Sequence, residues 1–223
     1  MPPGTKIFDF DWTLKHLDQV GVRIVQHFQL IAVPMLLGIL ISLVLAVLAV
    51  RQRWAYAPIT LLTGVLYTIP SLAAFAVLRP ITGLTFITAW IPLTTYTLLI
   101  LFRNFAAGFT AVPPEILEAA EGMGYTRRQR LIRVELPLAI PLMIAGIRLA
   151  SVTTIGLATI VAVLGDAFGG LGQLITEGIQ TFFPTKEILG AVLSIVLAIG
   201  ADVLLVRFER LITPWSRARA GAR

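Results

Sequence analysis

Residues able to do chemistry are few in this chain, and they gather in few places. The densest group is the stretch 115–137, EILEAAEGMGYTRRQRLIRVELP, with four glutamates and four arginines. Outside it, two opposite charges, Arg148 and Asp202, stand inside long apolar runs. There is no cysteine, which excludes thiol nucleophiles, disulfides and thiolate metal sites. His16 and His27 stand alone ahead of the apolar bundle and are assigned no chemistry. With no His or Cys after residue 28, metal hydrolysis fails on inventory. The lysines, Lys6, Lys15 and Lys186, follow no glycine-rich loop of the Walker type, so this chain cannot hydrolyse ATP by itself. What remains is charge placed for pairing and for docking.

The elements that must position these charges are apolar. Of the 223 residues 57% are hydrophobic and 13% charged, with a mean hydropathy of +0.87. Soluble domains carry about 25% charged residues. Runs 24–50, 54–78 and 80–102 are free of charge except at their edges, 136–165 is broken by Arg148, and 188–206 by Asp202. Each approaches or exceeds the roughly 20 residues that cross a bilayer core. Prolines inside them (Pro34, Pro58, Pro70, Pro92, Pro141) are tolerated where neighbouring spans satisfy the freed backbone groups. The expected fold is all-α and polytopic, with five transmembrane helices. The formal charge of +6 matters less than its placement between apolar runs, which argues for a bilayer partner and not for nucleic acid.

Orientation follows from the basic residues. One set of loops holds Arg51, Arg53, Arg103, the four arginines of 115–137 and five more beyond residue 206. The other set holds Lys6, Lys15, Arg23, Arg79 and Lys186. Twelve against five puts the first set in the cytoplasm, the N-terminus outside and the C-terminus inside. The chain then divides into an extracytoplasmic segment 1–23, a transmembrane domain 24–206 with a charged cytoplasmic loop 103–137, and a basic tail 207–223. Segment 1–23 has no apolar core of signal-peptide length. Its Leu14, Leu17, Gly21, Ile24 and Phe28 share a face, the pattern of an interfacial helix.

Small residues recur every four positions in two spans: Gly146, Ala150, Thr154, Ala158 and Ala162, then Gly190, Ser194 and Ala198. Such stripes let helices approach closely. Arg148 and Asp202 lie at depths that agree within a turn on antiparallel spans, at about 1.5 Å per residue. They are expected to pair, because charges within spans find partners or line a watery path. Snorkelling of Arg148 alone is the alternative.

The charged loop carries its own local signals. Pro113-Pro114 suits a helix start, Glu115 and Glu118 suit the positive end of its dipole, and Gly122 or Gly124 ends it. Thr126 and Gln129 have capping-box spacing, and Pro137 biases Leu136 out of helix at membrane re-entry. Two short helices joined by a glycine turn are predicted, presenting Ile116, Ala119, Ala120 and Met123 as an apolar strip.

Glu118-Ala119-Ala120, Gly124 four positions on, and Val134-Glu135-Leu136-Pro137 after nine more residues resemble the EAA loop of ABC importer permeases. Val134 stands where isoleucine is usual. Thr68-Ile69-Pro70-Ser71-Leu72, Gly146-Ile147-Arg148, Gly169-Gly170-Leu171-Gly172 and the tail from Glu209 to Pro214 resemble the subfamily for glycine betaine, choline and carnitine. Methionine importer permeases share the five-span plan and remain the nearest alternative. The resemblance implies a type I importer permease fold in a bacterial or archaeal plasma membrane, a second permease subunit, identical or related, and an extracytoplasmic binding protein. It also implies separate ATPase subunits that bind ATP and magnesium, coupled through Glu115, Glu118, Ala119, Ala120, Gly124, Arg127, Leu136 and Pro137. A path or gate is suggested at Tyr67, Pro70, Ser71, Trp90, Gly169, Gly170 and Gly172, with a flexible turn as the rival reading for the glycines. Tyr67, Phe75 and Trp90 are aromatic faces able to meet a quaternary ammonium, or to serve as packing and interfacial anchors. An intramembrane enzyme and an ion-coupled carrier are the rivals from other classes. The first lacks a catalytic inventory, and the second lacks detectable inverted repeats.

Overall fold

A backbone in lipid must bond to itself, so the apolar runs become helices. The computed structural model describes residues 7–214, and these contain helices and no strand. Lys6, Arg217, Arg219 and Arg223 lie outside the described residues. A short helix α1 (Phe10–Lys15) is capped by Asp9, whose carboxylate accepts from the Trp12 N–H at 3.0 Å. After His16, α2 runs unbroken from Leu17–Arg51. The expected boundary at residue 23 is therefore absent. No helix breaker separates 17 from 24, and Arg23 finds an acidic partner instead of ending the helix. The face expected of an interfacial helix points largely away from the core. Val20, His27, Leu30 and Ile31 are buried, whereas Leu14, Leu17 and Phe28 are exposed.

The run 54–78 is not one straight span. It forms α3 (Arg53–Thr68) and α4 (Ser71–Thr82), bent by 87°. The residue before a proline is pushed to extended backbone, and Ile69 and Pro70 take ψ of 126° and 133°. The Ile69 carbonyl released by the bend accepts from the Tyr96 hydroxyl. Pro80 sits inside α4, which ends at Gly83 with φ +70°. The next span is α5 (Phe86–Thr110), six residues later in its start than the charge-free run. It passes straight through Arg103, whose exposed position lets a long basic side chain reach outward.

Two helices of the charged loop follow, α6 (Pro114–Gly122) and α7 (Arg127–Arg130). A π-helical turn, Leu131–Glu135, joins α7 to α8 (Leu136–Ile160). Beyond two 3-10 turns come α9 (Leu171–Thr181) and α10 (Pro184–Ile212), so part of the expected tail is helix. Among the described residues, four helical stretches are long and apolar enough to cross a bilayer: Leu17–Arg51, Phe86–Thr110, Arg127–Leu164 and Pro184–Ile212. The bent pair α3–α4 makes a fifth crossing when taken as one broken span.

Helix α5 is the centre of the core, with Leu93, Leu101, Phe102 and Phe105 fully buried. It packs between α2 and α8, with α3 and α4 also against it. The small stripe of α8 makes this possible. Gly146, Ala150, Thr154, Ala158 and Ala162 are all buried, and Gly146 rests on the side chain of Asn104. A Cβ at Gly146 would overlap Asn104, while one at Gly200 meets nothing within 4 Å. Gly146→Ala is therefore expected to destabilise by about 1–3 kcal/mol, the usual cost of overpacking. Gly200→Ala should be neutral or slightly stabilising, since alanine is the better helix former. Thermal unfolding of the detergent-solubilised variants checks the difference in sign.

Candidate functional site

The charged loop is ordered by its own caps. Pro114 opens α6, and the helix ends with Gly124 N–H donating to the Glu121 carbonyl (2.9 Å) and Tyr125 N–H to the Ala120 carbonyl (3.1 Å). This closing pattern needs a left-handed residue, and Gly124 supplies it with φ +78°. Thr126 and Gln129 form a reciprocal capping box: Gln129 N–H donates to Thr126 Oγ1 at 3.3 Å, and Thr126 N–H to Gln129 Oε1 at 2.9 Å. The loop differs from expectation after this point. Leu136 is helical (φ −61°, ψ −50°), and α7 continues through the π turn into α8 without a break. Proline inside a helix clashes with the carbonyl four residues back and lacks a donor. The widened turn ahead of Pro137 gives that ring room, with Leu136 N–H reaching the Leu131 carbonyl.

Of the candidate docking residues, Glu115, Glu118, Ala119, Gly124 and Arg127 are exposed, whereas Leu136 and Pro137 are half-buried at the start of α8. Ala120 is the only buried residue of α6. Met123 is 69% exposed and Ile132 51% exposed, so the loop shows apolar side chains beside its acids. Behind it lies a cavity of about 790 Å³, lined by Arg51, Arg53, Tyr56, Phe109, Leu117 and Glu135 among others. Glu135 is buried at 5% exposure. Its carboxylate accepts from Arg130 Nε at 2.9 Å and has Arg51 Nη2 at 3.7 Å. Arg130 also pairs with Glu121 on α6, and Arg51 Nη2 donates to the Arg127 carbonyl at 3.2 Å. The sequence showed these charges only by sign, because Arg51 is too distant in the chain to leave a spacing signal and five residues, as between Arg130 and Glu135, is not the spacing of one regular helical face.

Arg148 and Asp202 meet between α8 and α10. Arg148 Nε donates to Asp202 Oδ1 at 2.8 Å and Nη2 to Oδ2 at 3.1 Å. This is the two-pronged geometry in which guanidinium–carboxylate bonds are strongest. Both side chains keep about a third of their surface exposed, at 34% and 36%.

At the opposite end of the bundle, the glycine segment is buried and bonded. Gly169 and Gly170 have φ of +63° and +81°. Gly170 N–H donates to Gln26 Oε1 at 3.1 Å, Leu171 N–H to His27 Nδ1 at 3.4 Å, and Gly172 lies against the Thr159 carbonyl with no room for a Cβ. A network continues outward. Arg23 donates to Gln173 at 2.9 Å and to Glu177 at 2.8 Å, and Lys186 donates to Glu177 at 2.9 Å. Lys186 also sits 5.5 Å from the centre of the Trp12 ring. The segment is thus strapped to α2 and α10, which a freely flexible turn would not be. His27, set aside because it was placed ahead of the bundle, lies within α2 and is fully buried. Its signal was its register with Val20, Leu30 and Ile31, one helical face. The aromatics do not form one cage. Tyr67 meets Tyr96 edge-on at 5.8 Å, Phe75 is fully buried, and Trp90 stacks on Phe86 while donating to the Gln29 carbonyl at 3.2 Å. Pro70 and Ser71 stand at the bend between α3 and α4.

Residues 35–214 match the family described as "Binding-protein-dependent transport system inner membrane component". The chain belongs to this family. The permease is 38% identical over 194 residues to the osmoprotectant import permease protein OsmW of Salmonella typhimurium, spanning 85% of this chain and 89% of that one. It is 36% identical over 208 residues to the choline transport system permease protein OpuBD of Bacillus subtilis, spanning 93% and 89%. With the carnitine transport permease protein OpuCD of Listeria monocytogenes it shares 36% over 195 residues, spanning 87% and 86%. Among solved structures it resembles an inward-facing form of the MetNI methionine ABC transporter, with a TM-score of 0.76, 21% identity, and 89% and 98% of the two chains covered. At that identity the likeness is one of fold, that of a type I ABC importer permease. The permease is a multi-pass membrane protein and a transport component, not an enzyme.

The pairing of Arg148 with Asp202 yields a direct test in this permease. Arg148→Ala or Asp202→Ala strands one charge within a span and should lower the amount of folded permease in the membrane. The exchanged pair, Arg148→Asp with Asp202→Arg, should recover most of it. Fluorescence-detected gel filtration of the solubilised variants reads the result, and no recovery in the exchanged pair counts against the interaction.

Proposed function

We propose that this permease imports small zwitterionic or quaternary ammonium osmoprotectants, such as glycine betaine, choline or carnitine. The observation that carries the solute class is the identity of 33–38% with relatives named for osmoprotectant, choline, carnitine and glycine betaine transport, over 85% or more of this chain. The fold likeness to a methionine transporter carries no substrate, because its identity is 21%. Energy comes from separate ATPase subunits that hold ATP and magnesium. An extracytoplasmic binding protein delivers the solute to a path between this chain and a second permease, identical or related. The arginine-rich end faces the cytoplasm and the glycine-segment end faces outward, which follows from the positive-inside rule. This puts the N-terminus outside and the C-terminus inside a bacterial or archaeal plasma membrane.

The coupling element is the loop of α6 and α7. Its exposed Glu115, Glu118, Ala119 and Met123 support this reading, because apolar and acidic side chains presented together outside a span form a surface for a protein partner. Gly124 and Arg127 lie on the same exposed loop, and Leu136 and Pro137 join it to α8. Closure of the ATPases pushes the loop and rocks the spans. Tyr67, Pro70, Ser71 and Trp90 border the path near the bend of α3–α4, and Gly169, Gly170 and Gly172 form its outer gate. The buried glycine segment, tied to Gln26 and His27, suits a fixed stop better than a loose flap.

Two measurements test the reading. In proteoliposomes carrying the whole transporter, glycine betaine or choline with the cognate binding protein should stimulate ATP hydrolysis, and methionine should not; the opposite preference overturns the solute class. For the loop, Gly124→Val places a β-branched residue in a left-handed conformation at about 1–2 kcal/mol, and Glu118→Lys opposes the dipole of α6. Both variants should insert normally yet lose co-purifying ATPase or uptake by roughly tenfold. Normal uptake in both at normal expression shows that the loop is not the coupling element.

A further inference from the structure

Glu135 is the only Asp, Glu, Lys or Arg in the buried class among the described side chains. A carboxylate taken out of water costs several kcal/mol unless it is paired, and nothing in helix propensity asks for one at the entry to an apolar span. Its partners come from separate elements. Arg130 of α7 bonds it directly and reaches Glu121 of α6 as well, while Arg51 belongs to the end of α2. Arg51 also holds the Arg127 carbonyl. One carboxylate therefore joins the loop to the first long helix.

The loop runs by its backbone into α5 and α8, but its ties to α2 are few. Helix α6 packs chiefly on α7 and the π turn, with Ala120 its sole buried residue, and the cavity of about 790 Å³ separates it from the ends of α2, α3 and α5. Displacement of the loop reaches α5 and α8 along the backbone, whereas the open cavity leaves it little packed contact with the end of α2. Ion pairs can pass it on, because they hold direction and sign without needing close packing. The π turn adds a geometric condition. Arg130 and Glu135 are five residues apart, about 1.4 turns of a regular α-helix, which would point them to different faces. The i→i+5 bonding of a π turn brings them onto one face, and the 2.9 Å contact is the result. Rewinding that turn to α would part the pair.

We propose that Glu135 is a positioning residue for energy coupling: Arg130 carries displacement of the loop to it, and Arg51 carries that displacement on to α2. The proposal rests on the loop being the ATPase-coupling element. The absence of cysteine makes the experiment direct. Glu135→Gln, Arg51→Gln and Arg51→Lys are made in the complete transporter and reconstituted with ATPase and binding protein. The first two should insert, keep the ATPase and hydrolyse ATP, while solute imported per ATP falls by about fivefold or more, the lower range of typical coupling energies. Arg51→Lys, which keeps the charge, should retain most of the coupling. Spin labels at Leu48→Cys and Arg128→Cys, which is exposed on the loop and outside the docking residues, should hold their separation between nucleotide-free and ATP-trapped states in the parent chain, and change it in Arg51→Gln. Unchanged import per ATP in both Gln variants overturns the proposal. So does equal loss of both from the membrane, which would make Glu135 a support of the fold only. If Gly124→Val and Glu118→Lys also transport normally, the coupling-loop reading falls with it. If those two fail while Glu135→Gln works, this proposal alone falls.

Discussion

A backbone amide or carbonyl inside a bilayer has no water to bond to, and the rest of this structure is arranged around that constraint. At two places where helices in the apolar zone break, a side chain from a neighbouring helix takes over a missing bond. The Ile69 carbonyl at the α3–α4 bend accepts from Tyr96 on α5. The Gly170 and Leu171 amides beyond α8 donate to Gln26 and His27 on α2. Each interruption is therefore pinned to one of the two helices that pack most extensively in the bundle.

Charge obeys a related rule. At the ends of the bundle single charges face solvent freely, as Glu115, Glu118 and Arg103 do. Where they are less exposed they appear as pairs, most of them between elements distant in sequence: Arg23 with Glu177, Arg148 with Asp202, Arg51 with Glu135, and the near neighbours Arg130 and Glu135. A buried pair stabilises less than its Coulomb attraction suggests, because desolvation offsets much of it. Losing one partner is costly all the same, so such pairs specify which helices meet more than they add to stability. The small residues of α8 set the spacing that lets the pairs form. Gly146 against Asn104 brings α8 close to α5, two residues from Arg148.

Much of the candidate site could be read from residue types. The turn at Gly124, the capping box of Thr126 with Gln129, and the exposure of Glu118 and Ala119 are local matters, decided within a few residues. The pairing of Arg148 with Asp202 could be expected from depth alone, because lipid leaves lone charges few alternatives. Other features could not be read. Arg23, Gln173 and Lys186 around Glu177 span 150 positions or more of chain on one side and nine on the other. Their types alone said only that they were polar and near the membrane surface.

By itself the sequence determined the class: apolar runs of bilayer length, arginine gathered in every second loop, small stripes for close packing, and one ordered charged loop. Those features follow from solvent and local backbone chemistry, which act within a helix turn or across a bilayer thickness. Tertiary structure alone decided where helices end and which polar groups meet. It turned the 54–78 run by 87°, kept α2 whole through residue 23, carried α7 through a π turn into α8, and buried His27 and Glu135. Each of those outcomes depends on whether a partner from a distant helix is within bonding reach, and reach is set only when the helices pack.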